Sequence, residues 1–314
     1  MSTTVRVQQT TWLASGVVRI ELRDPEGAEL GVWRPGAHLS LHLPNGLVRQ
    51  YSLCGDPDDR YSWTIAVLRE PSSRGGSSWV HERLTTGTVL EVDGPRNNFA
   101  LADASSYLFI AGGIGITPLL PMARDVAADG RRWGMFYCGR SCDSMAFLPQ
   151  LTALAGERLR VHADRENGGP RDLTTVMEQV TPGTAIYCCG PEPLLAAVEQ
   201  AVPVGAELHV ERFRPAATAA PSTTDSGFDV VCAGSGARIH VEPDASIIDA
   251  LAEAGVDVPF SCREGVCGSC ETKVLGGEPD HRDFLLSDTE KASNSTMLVC
   301  VSRCRSAELV LDLG

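Results

Sequence analysis

The sequence of 314 residues predicts a multidomain protein that combines an antiparallel β-barrel, an α/β domain with a parallel sheet, and a smaller α+β domain. Three observations predict this architecture. The length exceeds what one ordinary hydrophobic core organises and fits two or three domains. Near Tyr107, short apolar runs give way to strands that alternate with helices. Residues 214–227, rich in Ala, Pro, Ser and Thr, then precede a region with clustered cysteines.

The barrel is predicted over residues 1–103. Apolar runs at residues 38–43, 61–68 and 88–95 are separated by Gly, Pro and Asp, the residues that favour turns. Short strands bounded by turn residues are typical of antiparallel sheets, because neighbouring strands can then be joined locally. We expect a small antiparallel barrel in this region.

The α/β domain is predicted over residues 104–214. Residues 107–113 form a buried-strand pattern, residues 117–130 a helical one, and the alternation continues to a last strand at residues 206–213. Helical patterns include residues 143–156 and 174–180. Strands that alternate with helices indicate a parallel sheet with helices on its faces.

The last part of the chain is a predicted linker, residues 215–226, followed by an α+β domain over residues 227–314. A linker is expected because its small and polar residues show no apolar periodicity. Beyond it we predict a hairpin from residues 228–234 and 237–243, a helix over 246–255, and then a cysteine-rich loop.

Charge and hydropathy exclude several classes of protein. The net charge is −13, so no basic surplus is present to neutralise nucleic-acid phosphates. The acidity is greatest in residues 227–314, which hold 15 acidic and 7 basic residues. No stretch approaches the roughly 20 apolar residues that span a bilayer, and the first residues lack the pattern of a secretory signal. We expect a cytoplasmic protein with neither a membrane nor a nucleic-acid partner.

Four of the eleven cysteines have a metal-site spacing. Cys262, Cys267 and Cys270 form C-x4-C-x2-C, and Cys300 lies thirty residues beyond Cys270. This is the plant-type [2Fe–2S] spacing, and Gly265 and Gly268 allow backbone N–H groups to approach the sulfur atoms. A structural zinc site also uses four thiolates, usually in two closely spaced pairs. Cys304 is close enough to Cys300 to compete for the fourth ligand position.

Two glycine motifs predict a nucleotide site in the α/β domain. Residues 109–120 place Gly113, Gly115, Thr117 and Pro118 where a strand turns into a helix, so that backbone N–H groups can approach a pyrophosphate. Cys189, Gly190 and Pro191 end a later strand and begin another helix. Both motifs therefore lie at the carboxyl ends of strands, where open α/β sheets bind ligands.

With the segment RQYSL at residues 49–53, these motifs resemble the ferredoxin–NADP reductase superfamily over residues 1–214. Residues 227–314 resemble a plant-type ferredoxin domain. The whole chain resembles the phthalate dioxygenase reductase family, to which the vanillate O-demethylase reductase subunit also belongs.

The resemblance assigns FMN to the barrel. Arg49 is expected to bind the flavin phosphate, Tyr51 to pack on the flavin ring, and Ser52 to hydrogen-bond near its reactive nitrogen. Thr117 is expected at the junction of flavin and nicotinamide, and Phe213 beside the flavin or, alternatively, in the core. The remaining expected FMN contacts, including a second phosphate-binding stretch, are Gln50, Val67, Leu68, Gly75, Gly76, Ser77 and Ser78.

The resemblance also assigns NADH to the α/β domain, with Ser52, Thr117 and Cys189 around the site of hydride transfer. Cys189 is expected to position the nicotinamide rather than attack it. Arg140 and Ser141 follow the second strand of the domain, where the adenosine ribose is recognised; both suit a 2′-phosphate, whereas Asp143 repels one. The expected NAD contacts are Gly113, Gly115, Thr117, Pro118, Arg140, Ser141, Cys189, Gly190 and Pro191.

The implied function is a reductase component that passes electrons from NADH through FMN and a [2Fe–2S] cluster to a separate terminal oxygenase, by resemblance of the Rieske type. The seven histidines are scattered and form no 2-His-1-carboxylate pattern, so the oxygen chemistry is expected on the partner. Two alternatives stay open. The partner could be a cytochrome P450 or a di-iron hydroxylase, or the chain could be a flavin reductase with a C-terminal zinc or interaction module.

Overall fold

The computed structural model describes residues 2–71, 73, 75–170, 172–178, 180–213 and 226–314. The chain divides into two compact units, Met1–Phe213 and Arg214–Gly314. Residues 215–225 of the predicted linker lie outside the described residues. Within the described ranges, no helix has both the length and the apolar character needed to cross a membrane.

The first unit begins with a curled six-stranded antiparallel sheet in the order β4-β3-β6-β1-β2-β5. A bridge between Leu53 and Ile65 links the two edge strands, so the sheet closes on itself around a core of Val, Leu, Ile and Trp side chains. Its elements are β1 (Ser2–Ala14), β2 (Val17–Arg23), β3 (Ala37–His42), β4 (Val48–Ser52), β5 (Trp63–Leu68), α1 (Gly76–Arg83) and β6 (Val89–Asn97).

A five-stranded parallel sheet follows in the order β11-β10-β7-β8-β9. All six residues of the interior strand β10 are buried, because apolar clusters cover both faces of the sheet. Its elements are β7 (Ser106–Gly112), α2 (Ile116–Ala128), β8 (Arg132–Gly139), α3 (Leu148–Ala155), β9 (Leu159–Ala163), α4 (Asp164–Asn167), α5 (Thr174–Met177), β10 (Thr184–Cys189), α6 (Glu192–Ala201) and β11 (Glu207–Glu211).

Two helices of this region are shorter than their sequence patterns predict. The helix expected over residues 143–156 begins only at Leu148, because Phe147 adopts a left-handed backbone with φ 60° that ends the preceding turn. The apolar side chains ahead of it, Met145 and Ala146, are buried without being helical. The helix expected over residues 174–180 ends at Met177. At both places the spacing of apolar residues reflected which side chains are buried and not how far the helix extends.

Hydrogen bonds fasten the barrel to the parallel sheet within the first unit. Tyr187, on β10, donates its hydroxyl to the Ala100 carbonyl at 3.0 Å and accepts the Ala102 N–H at 2.6 Å. Arg124, on α2, donates to the Gly55 carbonyl at 3.2 Å. The chain segment that leaves the barrel is therefore held against strand β10 of the sheet.

The second unit contains a mixed five-stranded sheet in the order β13-β12-β18-β14-β16 and a separate β15–β17 pair. The predicted hairpin forms as β12 and β13, and the helix after it buries Ile247, Ile248 and Leu251. Its elements are β12 (Phe228–Cys232), β13 (Arg238–Val241), α7 (Ile247–Glu253), β14 (Glu271–Gly276), β15 (Pro279–Asp280), α8 (Asp288–Ser293), β16 (Thr296–Leu298), β17 (Arg303–Cys304) and β18 (Glu308–Leu311).

Candidate functional site

The carboxyl edge of the parallel sheet collects the nucleotide motifs. Strands β7, β8, β10 and β11 end at Gly112, Gly139, Cys189 and Glu211, and parallel pairing brings these ends to one side. The residues that follow the first three strand ends are the ones that the sequence patterns single out, at positions 113–118, 140–141 and 190–191. The fold therefore gathers three separate segments at one edge.

The two glycine motifs are in direct contact. A Cβ atom on Gly115 would overlap the Cys189 carbonyl, and one on Gly112 would lie 2.6 Å from Cδ of Pro191. Gly190 lies against Gly112 in the same way, since a Cβ there would meet the Gly112 backbone at 3.0 Å. Only glycine permits this approach of the loop after β7 to the end of β10. Gly112, which the sequence analysis left out of the site, is part of this contact.

Thr117 and Pro118 occupy the first turn of α2, and both are buried. The Thr117 side-chain hydroxyl donates to the Ile114 carbonyl at 3.0 Å, within the turn that leads into the helix. The short 3₁₀ segment Gly113–Gly115 precedes α2, and Gly113 has φ 54°. This turn directs the helix N-terminus to the carboxyl edge, as anion-binding turns do.

Cys189 is paired with an acidic residue that the sequence patterns did not single out. Its Sγ lies 4.0 Å from Oε2 of Glu211, the residue opposite it in the parallel register. Burial raises the pKa of Glu211 from 4.5 to about 8 and raises the pKa of Cys189 well above its ordinary value. A carboxyl group that keeps its proton near neutral pH can act as a donor. The feature of the sequence that could have singled out Glu211 is its place at the end of a strand that neighbours the strand of Cys189.

The other expected nucleotide residues lie at the rim of the same edge. Arg140 is exposed, and Ser141 is buried with its hydroxyl 3.2 Å from that of Ser144. The next backbone N–H, of Cys142, donates to the Glu166 carboxylate at 3.1 Å. Phe213 has 39% of its surface exposed. The alternative that it is a core residue is therefore excluded.

The expected flavin residues of the barrel lie on β4 and β5. Ser52 is buried, and Gln50 donates to the Ser40 hydroxyl at 3.4 Å. Tyr51 packs against the barrel core, and burial raises its pKa to about 12 despite the nearby Arg49 charge. Val67 is buried and its carbonyl is 3.0 Å from Nε2 of His81, while Leu68 is half-buried.

Arg49 lies across the N-terminus of α1. A Cβ atom on Gly76 would lie 2.5 Å from Nε of Arg49, so glycine leaves the space that the side chain occupies. Gly75, just before the helix, has φ 90°, which favours glycine. A guanidinium group and a helix N-terminus that meet in this way form a phosphate-binding arrangement.

A serine that the sequence analysis missed organises the same turn. The Ser73 hydroxyl oxygen is 3.2 Å from the Gly75 N–H and 3.3 Å from the Ser78 N–H, both of which donate to it. The Ser77 and Ser78 hydroxyls lie 3.1 and 3.4 Å from the same oxygen. These donors converge on one point, as they would on a phosphate oxygen, so the residues fit the phosphate of FMN.

The four spaced cysteines of the second unit come together. The Cys262 side chain is within hydrogen-bonding range of Cys267 and Cys300, and Cys300 is within range of Cys270. Hydrogen bonds from its neighbours hold the pKa of Cys262 far below its ordinary value. The Glu264 and Ser269 backbone N–H groups donate to the sulfur atoms of Cys262 and Cys267 at 3.3 and 3.4 Å. Converging thiols with N–H donors fit a [2Fe–2S] cluster.

Cys304 lies apart from this group. Its Sγ is 3.1 Å from the Ser306 hydroxyl and 3.4 Å from the Glu278 carbonyl, beside the β15–β17 pair. The contacts of Cys300 with Cys262 and Cys270 therefore assemble Cys300, rather than Cys304, with the C-x4-C-x2-C loop.

Comparison with known proteins agrees with both sites. The family of 2Fe-2S iron-sulfur cluster binding domains matches residues 230–305, and the family of oxidoreductase NAD-binding domains matches residues 109–200. Phenoxybenzoate dioxygenase subunit beta of Ectopseudomonas oleovorans is 44% identical, over 98% of this chain and 97% of that protein.

Two solved structures extend the likeness to the whole fold. A structure of phthalate dioxygenase reductase, described as modular for electron transfer from pyridine nucleotides to [2Fe–2S], is 38% identical with a TM-score of 0.71. The match covers 99% of this chain and 98% of that one. An intact type IV self-sufficient cytochrome P450 monooxygenase is 43% identical with a TM-score of 0.93; there, 99% of this chain spans only 41% of the other.

Proposed function

The chain belongs to the phthalate dioxygenase reductase family, and we propose that the electrons it takes from NADH pass to a separate oxygenase of the Rieske type. It is a flavin iron–sulfur oxidoreductase that uses NADH, FMN and a [2Fe–2S] cluster. Bound FMN supplies the conversion of a two-electron hydride into single electrons. One observation carries this function. The same chain contains a sheet edge where glycines bring two loops into contact, and four cysteine thiols that converge on one place.

Each predicted domain is proposed to bind one cofactor. Residues 1–103 bind FMN, residues 104–214 bind NADH, and residues 215–226 link the NADH-binding domain to the last domain. Residues 227–314 hold the cluster through Cys262, Cys267, Cys270 and Cys300. The antiparallel sheet, the parallel sheet and the mixed sheet fall within these three ranges, which supports the division. We also propose a cytosolic location, since the chain's cysteines are free thiols, as that compartment favours.

The FMN phosphate is proposed to lie between Arg49 and the N-terminus of α1, with Ser77 and Ser78 as further donors. The support is the convergence of the Gly75 and Ser78 N–H groups and the Ser77 and Ser78 hydroxyls on the Ser73 oxygen, and the approach of Arg49 to Gly76. On β4, Tyr51 would face the flavin ring and Ser52 would donate a hydrogen bond near its reactive nitrogen. The remaining proposed ring contacts are Gln50, Val67 and Leu68.

The variant Gly76→Ala tests this phosphate site. The new methyl group would displace Arg49, so we expect FMN to bind about tenfold more weakly, the loss of roughly one charge-assisted hydrogen bond. Flavin content after gel filtration and the FMN dissociation constant give the readout. Gly134→Ala, on β8, is the matched control because its Cβ would meet only the Arg158 carbonyl at 3.8 Å. Unchanged FMN affinity in Gly76→Ala would rule out this site.

The nicotinamide is proposed to lie between Thr117 and Cys189, with Phe213 close to the flavin. Gly113, Gly115, Pro118, Gly190 and Pro191 would shape the path of the pyrophosphate along the carboxyl edge. Glu211 extends this set, because its protonated carboxyl faces the Cys189 thiol and can donate a hydrogen bond at that point. In this arrangement Cys189 orients the ring and is no nucleophile.

The adenosine ribose is proposed to lie over Arg140 and Ser141. The Glu166 carboxylate is bound to the Cys142 N–H, and Asp143 is exposed nearby. Two carboxylates at this point favour the ribose 2′-hydroxyl of NADH and repel the 2′-phosphate of NADPH.

A cytochrome P450 is the second candidate partner. The specific observation that favours it is the TM-score of 0.93 with the corresponding part of a self-sufficient P450 monooxygenase, above the 0.71 found with phthalate dioxygenase reductase. A similar reductase fold indicates a similar path of electrons through the cofactors. The acceptor is recognised by surface residues, so the higher TM-score does not decide between a P450 and a Rieske oxygenase.

The first experiment is an anaerobic titration of the purified chain with NADH, followed by transfer to candidate acceptors. We expect the flavin and cluster absorption bands to bleach together, with more than two electrons taken up per chain. The reduced chain is then mixed with a Rieske oxygenase and with a P450, and the rate of oxidation of the cluster is compared. Faster transfer to the P450 would overturn the Rieske proposal, and bleaching of flavin alone would overturn the electron path.

A further inference from the structure

A buried group of charged side chains lies in the second unit, outside the four cysteines. The His281 side chain is 8% exposed and the Asp283 side chain is fully buried. Lys291, on α8, places Nζ 3.8 Å from Oδ2 of Asp283 and 2.8 Å from the Asp283 carbonyl oxygen. Buried ionisable groups are rare unless they are paired, so this group calls for an explanation.

Two atoms of the group are left without a hydrogen bond. Nδ1 of His281 and Oδ1 of Asp283 are both buried and unsatisfied, and they face each other at 3.8 Å. An amide oxygen can only accept, so Nε2 of His281 donates to Oδ1 of Asn294 at 3.1 Å, and Nδ1 is the ring nitrogen that can bind a further proton. The other carboxylate oxygen of Asp283 accepts the Leu285 and Leu286 N–H groups. Two acceptors therefore oppose each other at 3.8 Å, and a proton on Nδ1 would place a positive charge opposite the buried carboxylate oxygen.

The segment that carries this pair is attached to both cysteine segments. The Phe284 N–H donates to the Gly265 carbonyl at 2.9 Å, inside the C-x4-C loop. The Arg282 N–H donates to the Ser302 hydroxyl at 3.2 Å, two residues past Cys300. A Cβ atom on Gly265 would lie 3.1 Å from Cα of Asp283. A charge at His281 is therefore buried close to the proposed cluster, where it is weakly screened.

His281 also lines a surface pocket of about 300 Å³, together with Lys291, Asn294, Glu278 and Arg305. Lys291 balances Asp283, and Asp280 is paired with Arg282 and Arg305 at 2.7 and 3.2 Å. Glu278 lies 3.9 Å from Arg305. The other charged groups around the pair are thus matched by opposite charges.

We propose that His281 and Asp283 form a proton-binding site that is loaded when the [2Fe–2S] cluster is reduced. When reduction adds one electron to a cluster held by the four cysteines, one proton from solvent would bind Nδ1 of His281, opposite Oδ1 of Asp283, and oxidation would release both. The inference rests on the proposed function of the four cysteines. Its physical basis is that the positive imidazolium stabilises the added negative charge.

The test is the midpoint potential of the cluster in the full chain as a function of pH, followed by the electron paramagnetic resonance signal of the reduced cluster. Imidazole is the side chain whose charge ordinarily changes between about pH 5 and 8, so the series runs from pH 5.5 to 9. We expect the reduction equilibrium constant to fall with rising pH, by at most tenfold per pH unit, which is 59 mV for one electron.

His281→Gln is expected to remove this pH dependence, whereas His240→Gln is expected to keep it. His240 is the matched control because it is exposed on β13 and paired with Asp229 at 2.8 Å. A flat wild-type profile, or an equal slope in His281→Gln, would overturn the inference. The wild-type profile decides the matter even if the variant does not fold. Absence of iron and acid-labile sulfide would instead overturn the proposed function, which keeps the two failures distinct.

Discussion

At the scale of single residues, the eleven cysteines divide by their surroundings. Cys54, Cys138, Cys188 and Cys189 have pKa values raised first of all by burial, which makes them poor nucleophiles. In the group of Cys262, Cys267, Cys270 and Cys300, hydrogen bonds between the thiols shift the pKa values, down for Cys262 and Cys270 and up for Cys267 and Cys300. Contact between thiols therefore separates the candidate ligands from the other cysteines.

Cys300→Ser and Cys304→Ser form a matched pair that tests the fourth ligand. We expect Cys300→Ser to lose most of its iron, because its thiol belongs to the group around Cys262 and Cys270. Cys304→Ser should keep two irons and two sulfides per chain, since Cys304 is bound among Ser306 and Glu278. Iron and acid-labile sulfide analysis provides the measurement. The reverse result would transfer the ligand role to Cys304.

The raised pKa of Glu211 has a consequence for stability. Below about pH 4.5 the carboxyl is protonated in both the folded and unfolded states. Between pH 4.5 and about 8 the unfolded chain releases this proton while the folded chain keeps it, so the folded state loses stability as the pH rises.

Glu211→Gln is expected to remove that loss. The stability of the variant relative to the wild type should rise through this pH window by roughly 1.4 kcal/mol per pH unit at most, and level off above pH 8. Thermal unfolding at several pH values measures the difference. Glu157→Gln, at an exposed site, serves as the control. A constant difference between Glu211→Gln and wild type across the window would contradict the buried, protonated state.

At the scale of elements, the loop after β8 and helix α4 form the proposed binding surface for the ribose of the nucleotide. The loop after β8 contains Arg140 and Ser141, and the backbone of its next residue, Cys142, is held by Glu166 from α4. The Arg165 N–H, on α4, also donates to the Arg140 carbonyl at 3.0 Å, so the loop after β8 and helix α4 form one surface. Recognition of the ribose is therefore expected to depend on residues from both elements.

Glu166→Gln tests this element. The change keeps the size of the side chain but removes a negative charge that opposes a 2′-phosphate. We expect kcat/KM for NADPH to rise at least about tenfold, with kcat/KM for NADH changed far less. Glu207→Gln, on β11 and exposed, should leave both values unchanged. Equal effects on the two nucleotides would show that Glu166 does not face the 2′ position.

At the scale of the whole molecule, the charge is concentrated in the cluster-binding part. Residues 227–314 hold 15 acidic and 7 basic residues, which is most of the net charge of −13. If this surface steers the chain onto a basic patch of the oxygenase, turnover with the partner should fall as salt rises from 50 to 500 mM. Steady-state rates with the partner measure this, and NADH oxidation with ferricyanide is the control. Turnover that ignores salt would exclude steering.

The sequence by itself determined the order of the parts and the cofactors. Strand–helix alternation predicts a parallel sheet because such strands are buried on both faces, and the cysteine spacing identifies the cluster because three of its four ligands lie in one loop. These are local patterns of residues 107–213 and 262–270, and they need no knowledge of distant neighbours.

Only the tertiary structure decided which distant residues meet. The contact of Gly112 and Gly115 with residues 189–191, the Cys189–Glu211 pair, and the assembly of Cys300 rather than Cys304 depend on pairing between segments far apart in the chain. The facing atoms of His281 and Asp283 also depend on packing. Spacing along a chain fixes local geometry, whereas burial and pKa arise from neighbours that only folding brings together.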